Sequence, residues 1–314
     1  MTGNTLGWVI VAFVLYLLMM IAIGAFYAKG NNNSEDYFLG GRKLNGFVAA
    51  LSAQASDMSG WLLMGLPGAI YLTGVGGDGW IAIGLFIGTT LNWLFIATKL
   101  RRYTIRANNS VTLPTYFENR FHDDKKVLMT VSSVTIVVFF LVYCASALSA
   151  GGQLFESVFG IDYHVALTIG ALVVLVYTFL GGFTAVCVTD FIQGMLMLVG
   201  ILAVPLFAYH FLTGNGTTLA AGLEASGADS TNFLNLMKNG DGSNNIVSVI
   251  SGLGWGLGYF GMPHILVRFM AVRDEKEMTK SKATAISWVA LSLGFAVFIG
   301  ILGRAYLPEL VNGN

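Results

Sequence analysis

Ser52-Ala-Gln-Ala-Ser-Asp57-Met-Ser-Gly-Trp61 is a polar stretch with a carboxylate near its centre, set inside an otherwise apolar run from 46 to 72. Such a run is long enough to cross a bilayer, which needs about 20 predominantly apolar residues. An ionised Asp at mid-membrane costs on the order of 2.5–3.5 kcal/mol on insertion scales, so it signals function. A second interrupted run covers 246–269. It holds Gly252, Gly254, Gly256, Gly258 and Gly261, followed by Met262-Pro263-His264. Proline removes a helix hydrogen bond, and glycine lowers the cost of unwinding. Backbone left open at membrane depth survives only where it is buried in protein or lines a cavity.

Composition agrees with a membrane location. Of 314 residues, 55% are apolar and 11% charged, against about 25% charged in soluble domains. Seventeen basic and seventeen acidic residues cancel, which removes any electrostatic case for a nucleic-acid partner. No CxxC pair, HExxH motif or nucleophile–base constellation occurs, so the chain does not read as an enzyme. Cys144 and Cys187 sit in apolar runs and read as small buried hydrophobes.

Eight apolar stretches have spanning length: 6–28, 46–72, 80–100, 127–155, 165–182, 186–212, 246–269 and 283–306. The first lacks a basic n-region and is too long for a signal peptide. With the N-terminus outside, the inner loops hold fifteen of the seventeen lysines and arginines, leaving only Lys238 and Arg304 outside, as the positive-inside rule requires. The Gly/Asn/Ser-rich segment 213–245 reads as a mobile external connection, and 273–282 as a solvated mixed-charge face.

The two damaged spans are five apart and run in opposite directions. Interrupted segments in corresponding positions of inverted halves mark a transporter's binding site at the midplane. The expected fold is therefore an all-α integral membrane protein of eight transmembrane helices, forming a single transporter domain over 1–314. An extra first helix and inner loop occupy 1–45, a five-helix repeat 46–212, and the first two helices of an inverted second repeat 246–314. On this count the second repeat lacks its last three helices, and the chain is expected to be the N-terminal portion of a longer transporter. A close-packing face is the alternative reading of the glycines in the seventh span. Gly256-Leu-Gly-Tyr-Phe-Gly261 fits a dinucleotide fingerprint by spacing alone, since no strand precedes it.

Asp57 has no basic partner within any apolar run, and Asp190 lies near the inner end of the sixth. A membrane carboxylate without Lys or Arg is either protonated or beside a bound cation, which makes sodium or a proton the natural coupling ion. The broken backbone at Ala55, Ser56 and Met58 offers carbonyl oxygens, the ligands a hard cation favours. Asp190 reads equally as a helix N-cap with Thr189, and its place near inner water predicts that neutralising it disturbs sodium dependence less than neutralising Asp57. Trp255 and Tyr259, four apart, share one face of a regular helix. Together with Trp61 they form an apolar slot with backbone polar groups at its ends, suited to a small zwitterion.

These residues also carry a resemblance. Ser56-Asp-Met-Ser-Gly-Trp-Leu-Leu-Met-Gly-Leu-Pro-Gly68 is similar to a signature of the sodium:solute symporter family. So are Asp36-Tyr-Phe-Leu-Gly-Gly-Arg42, Tyr143-Cys-Ala-Ser, Thr178-Phe-Leu-Gly-Gly-Phe183 and Gly254-Trp-Gly-Leu-Gly-Tyr-Phe-Gly261. The resemblance implies a five-plus-five inverted repeat preceded by one helix, and sodium-coupled symport of L-proline by alternating access in a cell inner (plasma) membrane. It implies backbone ligation of sodium at Ala55 and Met58, with Asp57 as the acidic residue. Ser59, Gly60, Trp61, Tyr143, Trp255, Tyr259 and Pro263 are implied to line the solute site, and Arg42 and Asp190 the inner sodium path. Met262 departs from the family pattern, which carries Gln before Pro-His. Another solute (a different amino acid, pantothenate or a sugar) and a membrane sensor module of a signalling protein stand as alternatives.

Overall fold

The computed structural model describes residues 3–307 and contains no strand among them; two isolated bridges, Leu44 with Val272 and Lys238 with Asn244, are the β-type pairings. The first helix is α1 (Gly3–Ala28), followed by the short α2 (Ser34–Leu39), which Asn33 caps through Asp36 N–H. The second apolar run becomes α3 (Gly46–Gly60), a π turn over Trp61–Gly65, and α4 (Leu66–Thr73). The third becomes α5 (Val75–Leu91), a π turn over Asn92–Ala97, and α6 (Thr98–Arg106). After α7 (Leu113–Phe121) come two long helices, α8 (Val127–Phe159) and α9 (Tyr163–Gly214). The short α10 (Leu219–Ala225) and α11 (Ser230–Phe233) precede α12 (Ile246–Trp255), a 3₁₀ segment over Gly256–Gly261, α13 (Pro263–Ala271) and α14 (Glu275–Tyr306).

Among the described residues, five helices are long and apolar enough to cross a bilayer: Gly7–Ala28, Val75–Arg106, Val127–Phe159, Tyr163–Gly214 and Glu275–Tyr306. A sixth follows if Ile246–Gly261 and Pro263–Ala271, bent by 47°, count as one span. The difference from eight has two local causes. Residues 46–73 are interrupted at Ser59 (φ 40°, ψ −155°), so no piece there reaches spanning length. The expected fifth and sixth spans run on within α9, whose one non-helical residue is Gly182 (φ 61°, ψ −160°). That left-handed φ is one that glycine adopts without a Cβ penalty.

The chain divides into two compact units, each discontinuous in sequence: Met1–Ala53, Thr98–Ile192 and Leu266–Ser281 form one, and Gln54–Ala97, Gln193–Ile265 and Lys282–Asn314 the other. The first unit is organised around buried cations. Arg42 donates to Asn109 Oδ1 (3.0 Å), Thr104 Oγ1 (3.2 Å), the Met270 carbonyl (2.8 Å) and the Ser110 carbonyl (2.9 Å). Gly46 N–H donates to Glu277 Oε2 at 2.7 Å, and Ser281 Oγ returns a bond to the Gly46 carbonyl. These bonds bind residues distant in sequence without relying on apolar packing.

The second unit rests on glycine contact between α5 and α12. A Cβ placed on Gly84 or Gly88 would overlap the Gly252 or Gly256 carbonyl, and one on Gly256 the Gly84 carbonyl. These are small-xxx-small faces that bring backbones together. Gly254, Gly258 and Gly261 meet nothing within 4 Å. The seventh span thus uses its glycines in two ways, two for packing and three in open surroundings.

The segment 213–245 is no loose connection. Thr218 and Asp229 cap α10 and α11, and Trp80 Nε1 and Asn245 Nδ2 both donate to the Leu236 carbonyl at 2.7 Å. Arg304 Nε binds Ser226 Oγ at 2.9 Å. Polar composition here reflects a folded surface cap made of capping residues, which share their chemistry with loops.

Candidate functional site

The second unit gathers Ala55, Asp57, Met58, Ser59, Gly60, Trp61, Trp255, Tyr259 and Pro263. Two interruptions place them. Ser59, in the left-handed region, breaks the second span just after Asp57. Carbonyls in the last turn before a helix end lose their in-helix donors, and Ala55 and Met58 belong to that turn. In the seventh span, α12 winds into a 3₁₀ segment and restarts at Pro263.

Asp57 is the centre of the arrangement, its side chain only 5% exposed. The Tyr259 hydroxyl lies beside its carboxyl. His264 Nε2 lies 3.9 Å from Oδ1, and Oδ2 has no hydrogen-bond partner among the described residues. A basic side chain is therefore at hand after all, supplied by the residue following Pro263. A buried carboxylate oxygen without a donor is costly unless a cation reaches it. The arrangement suits a hard cation, with an anionic oxygen at a helix break and backbone carbonyls beside it.

Trp61 and Trp255 stack with centroids 5.8 Å apart and planes at 24°. Tyr259 does not share their face. A 3₁₀ winding rotates residues four apart by about 120°, where an α-helix rotates them by about 40°. Accordingly Trp255 is 49% exposed while Tyr259 is 3% exposed and turned to Asp57. The aromatic slot is a tryptophan pair, and the tyrosine serves the carboxylate.

The remaining expected residues lie in the first unit. Tyr143 is on α8, partly buried, and Arg42 carries the buried network described above. Asp190 is well inside α9, so it caps no helix. Its Oδ2 accepts from Arg268 Nη2 at 2.8 Å and from Ser52 Oγ at 2.7 Å, and Arg268 Nε also donates to Ser52 Oγ. The Arg268 guanidinium lies over the Phe183 ring at 5.7 Å. Of the two cysteines, Cys187 is buried as expected and Cys144 is exposed.

Sequence reasoning passed over four participants. His264 stood in the quoted Met-Pro-His triplet without a role. Arg268 was counted with the inner loop. Asn92 and Gln54 are single amides inside apolar runs, each 1% exposed and each holding a carbonyl oxygen without a partner among the described residues. An uncharged amide in an apolar run was the available signal.

Comparison with known proteins follows the same lines. A model of the sodium:solute symporter family matches residues 37–311. The sodium/proline symporter of Escherichia coli (strain K12) is 44% identical over 300 residues, covering 96% of this chain and 58% of that protein. The sodium/proline symporter of Staphylococcus aureus (strain JH9) is 44% identical over 299 residues, covering 95% and 56%. The chain thus spans somewhat over half the length of these relatives. Among solved structures, the substrate-bound outward-open state of a Na⁺-coupled sialic acid symporter matches with a TM-score of 0.76 at 20% identity, over 95% of this chain and 61% of that one. At that identity the match speaks for the fold.

Proposed function

Because the chain belongs to the sodium:solute symporter family, and is a multi-pass membrane protein with several apolar helices, we propose that it serves sodium-coupled uptake of L-proline by alternating access. The observation that carries this reading is the buried Asp57 carboxylate, one oxygen without a donor, at the Ser59 helix break. Sodium is the cargo that completes it. Asp57 supplies charge, and the Ala55 and Met58 carbonyls supply neutral oxygens. The stacked Trp61 and Trp255 give the pyrrolidine body of proline an apolar wall. Ser59, Gly60 and Pro263, at the two interruptions, leave backbone groups for its carboxylate and ammonium. By family resemblance, Tyr143 contributes to the solute site, and Arg42 and Asp190 to the inner sodium path.

The same proposal takes the chain as eight spans in a cell inner membrane, N-terminus outside, with one extra helix, a five-helix repeat over 46–212 and the start of its inverted partner over 246–314. Inverted repeats place one interrupted helix in each half, which accounts for the paired breaks at Ser59 and at Gly256–Gly261. Met262 keeps other small zwitterions in the comparison set.

Uptake of labelled L-proline into proteoliposomes by a chain carrying both repeats in full, with and without an inward sodium gradient, tests the reading. Sodium-driven accumulation is expected, with competition by other amino acids, pantothenate or sugars ranking the solutes. Sodium-independent uptake, or a better competitor than proline, overturns it. For orientation, Gly216→Cys and Lys125→Cys are labelled in intact cells in a background lacking Cys144 and Cys187. An impermeant reagent is expected to reach position 216 and not 125.

A further inference from the structure

The Tyr259 carbonyl lies where no α-helical bond can close. In an α-helix it would accept from the N–H of residue 263, and residue 263 is a proline, which has none. Asn92 donates to it from another helix: its Nδ2 reaches the Tyr259 carbonyl at 2.8 Å. The approach is possible because Gly88 and Gly256 let α5 and the unwound segment meet backbone to backbone.

Packing does not account for an amide at this position. Asn92 is 1% exposed and its Oδ1 has no partner among the described residues. A buried unsatisfied acceptor costs about 1–3 kcal/mol, and a leucine, which has the same branching, would avoid it. Asn92 also begins the π turn Asn92–Ala97, a distortion frequent at functional sites. The segment it holds is the one that brings Tyr259 beside Asp57 and, just beyond, His264 Nε2 to 3.9 Å from Asp57 Oδ1.

We propose that Asn92 is a positioning residue for the cation site, fixing the unwound segment so that Tyr259 meets Asp57 and thereby setting the affinity for sodium. The inference rests on the reading of Asp57 as the sodium ligand. Asn92 touches neither ion nor solute; it acts through Tyr259.

Asn92→Leu, Tyr259→Phe and the double variant test it. Each is titrated with sodium, following tryptophan fluorescence from the Trp61–Trp255 pair and binding of labelled proline to the purified protein. Asn92→Leu is expected to raise the half-saturating sodium concentration about five-fold, the worth of one such hydrogen bond. Proline affinity at saturating sodium and the melting midpoint without sodium are expected to stay near wild type, because losing the orphaned Oδ1 offsets losing the bond. In the Tyr259→Phe background the same substitution is expected to shift sodium less than about two-fold, since residues acting through one contact are non-additive. An unchanged sodium constant in Asn92→Leu, or the full shift in both backgrounds, overturns the proposal. A wild-type protein without any sodium response overturns the function itself, and this inference with it. If Asn92→Leu does not fold, Asn92→Ser, which keeps a donor of shorter reach, enters the same cycle with the same expectations.

Discussion

Neutralising the two membrane carboxylates is expected to have unequal consequences for stability. Asp190 sits in a closed network: Arg268 and Ser52 both donate to its Oδ2 at 2.8 and 2.7 Å, and the Arg268 and Asp190 side chains are 6% and 12% exposed. Asp190→Asn leaves the guanidinium buried without its counter-charge. Breaking a buried pair from one side costs about 3–5 kcal/mol. Asparagine still accepts from Ser52, so we take the lower end, about 3 kcal/mol. At about 2–4 °C per kcal/mol for a chain of this order of size, the melting midpoint falls by roughly 6–12 °C. Asp57 has no arginine to strand; its neighbouring base is His264, 3.9 Å from Oδ1. Its Oδ2 lacks a donor already, and the amide oxygen of Asp57→Asn still receives Tyr259, so the expected change is below about 1 kcal/mol. The milder effect on sodium dependence expected at Asp190 is a separate readout from this loss of stability. The assay is thermal unfolding of purified protein in detergent without sodium or proline, which keeps ligand linkage out of the comparison. Replacing both charges (Arg268→Met with Asp190→Leu) is expected to recover most of the loss, because a buried pair and its apolar replacement are often equivalent. An Asp190→Asn midpoint equal to wild type, or a double variant as weak as the single, refutes the reasoning.

Three further outcomes follow from local geometry. Gly84→Val or Gly252→Ala forces a side chain into opposing backbone and is expected to cost about 1–3 kcal/mol, whereas Gly254→Ala and Gly258→Ala are tolerated; melting midpoints in the reverse order reject the packing assignment. Cys144 lies mid-way along the crossing helix α8 with its exposed face toward lipid, and Cys187 is buried, so neither is expected to react with maleimide before unfolding, since the thiolate is the nucleophile; rapid labelling of either in the native protein would contradict the placement. The Glu277 carboxyl, bonded by Lys280 and by Gly46 N–H, is held below the ordinary glutamate range. Its contribution is complete above the unfolded value of about 4.3 and is lost as pH falls through the lower folded value. Between about pH 5 and pH 3 the wild-type midpoint should therefore drop further than that of Glu277→Gln; parallel curves exclude the clamp.

The class of the molecule was legible in one dimension. Eleven per cent charged residues and long apolar runs exclude a wetted surface wherever the chain folds, and a proline or a glycine cluster damages a helix whatever packs against it. For the same reason Asp57, Trp61, Trp255 and Pro263 were identifiable as a group, since each lies on or beside a break that the sequence itself makes. The seam between the expected fifth and sixth spans was less legible, because a single glycine in a left-handed conformation accomplishes the break inside one helix. What the sequence could not yield was any pairing that depends on how helices rotate and pack. Arg268 finds Asp190 from 78 residues away, and Asn92 finds the Tyr259 carbonyl from 167 residues away. Tyr259 turns inward, away from the Trp255 face, only because the intervening segment winds at three residues per turn. Side-chain direction within a span follows from local winding, and its partner follows from packing. Neither leaves a period in the sequence, so tertiary structure decided which carboxylate is neutralised by a cation and which keeps an oxygen open.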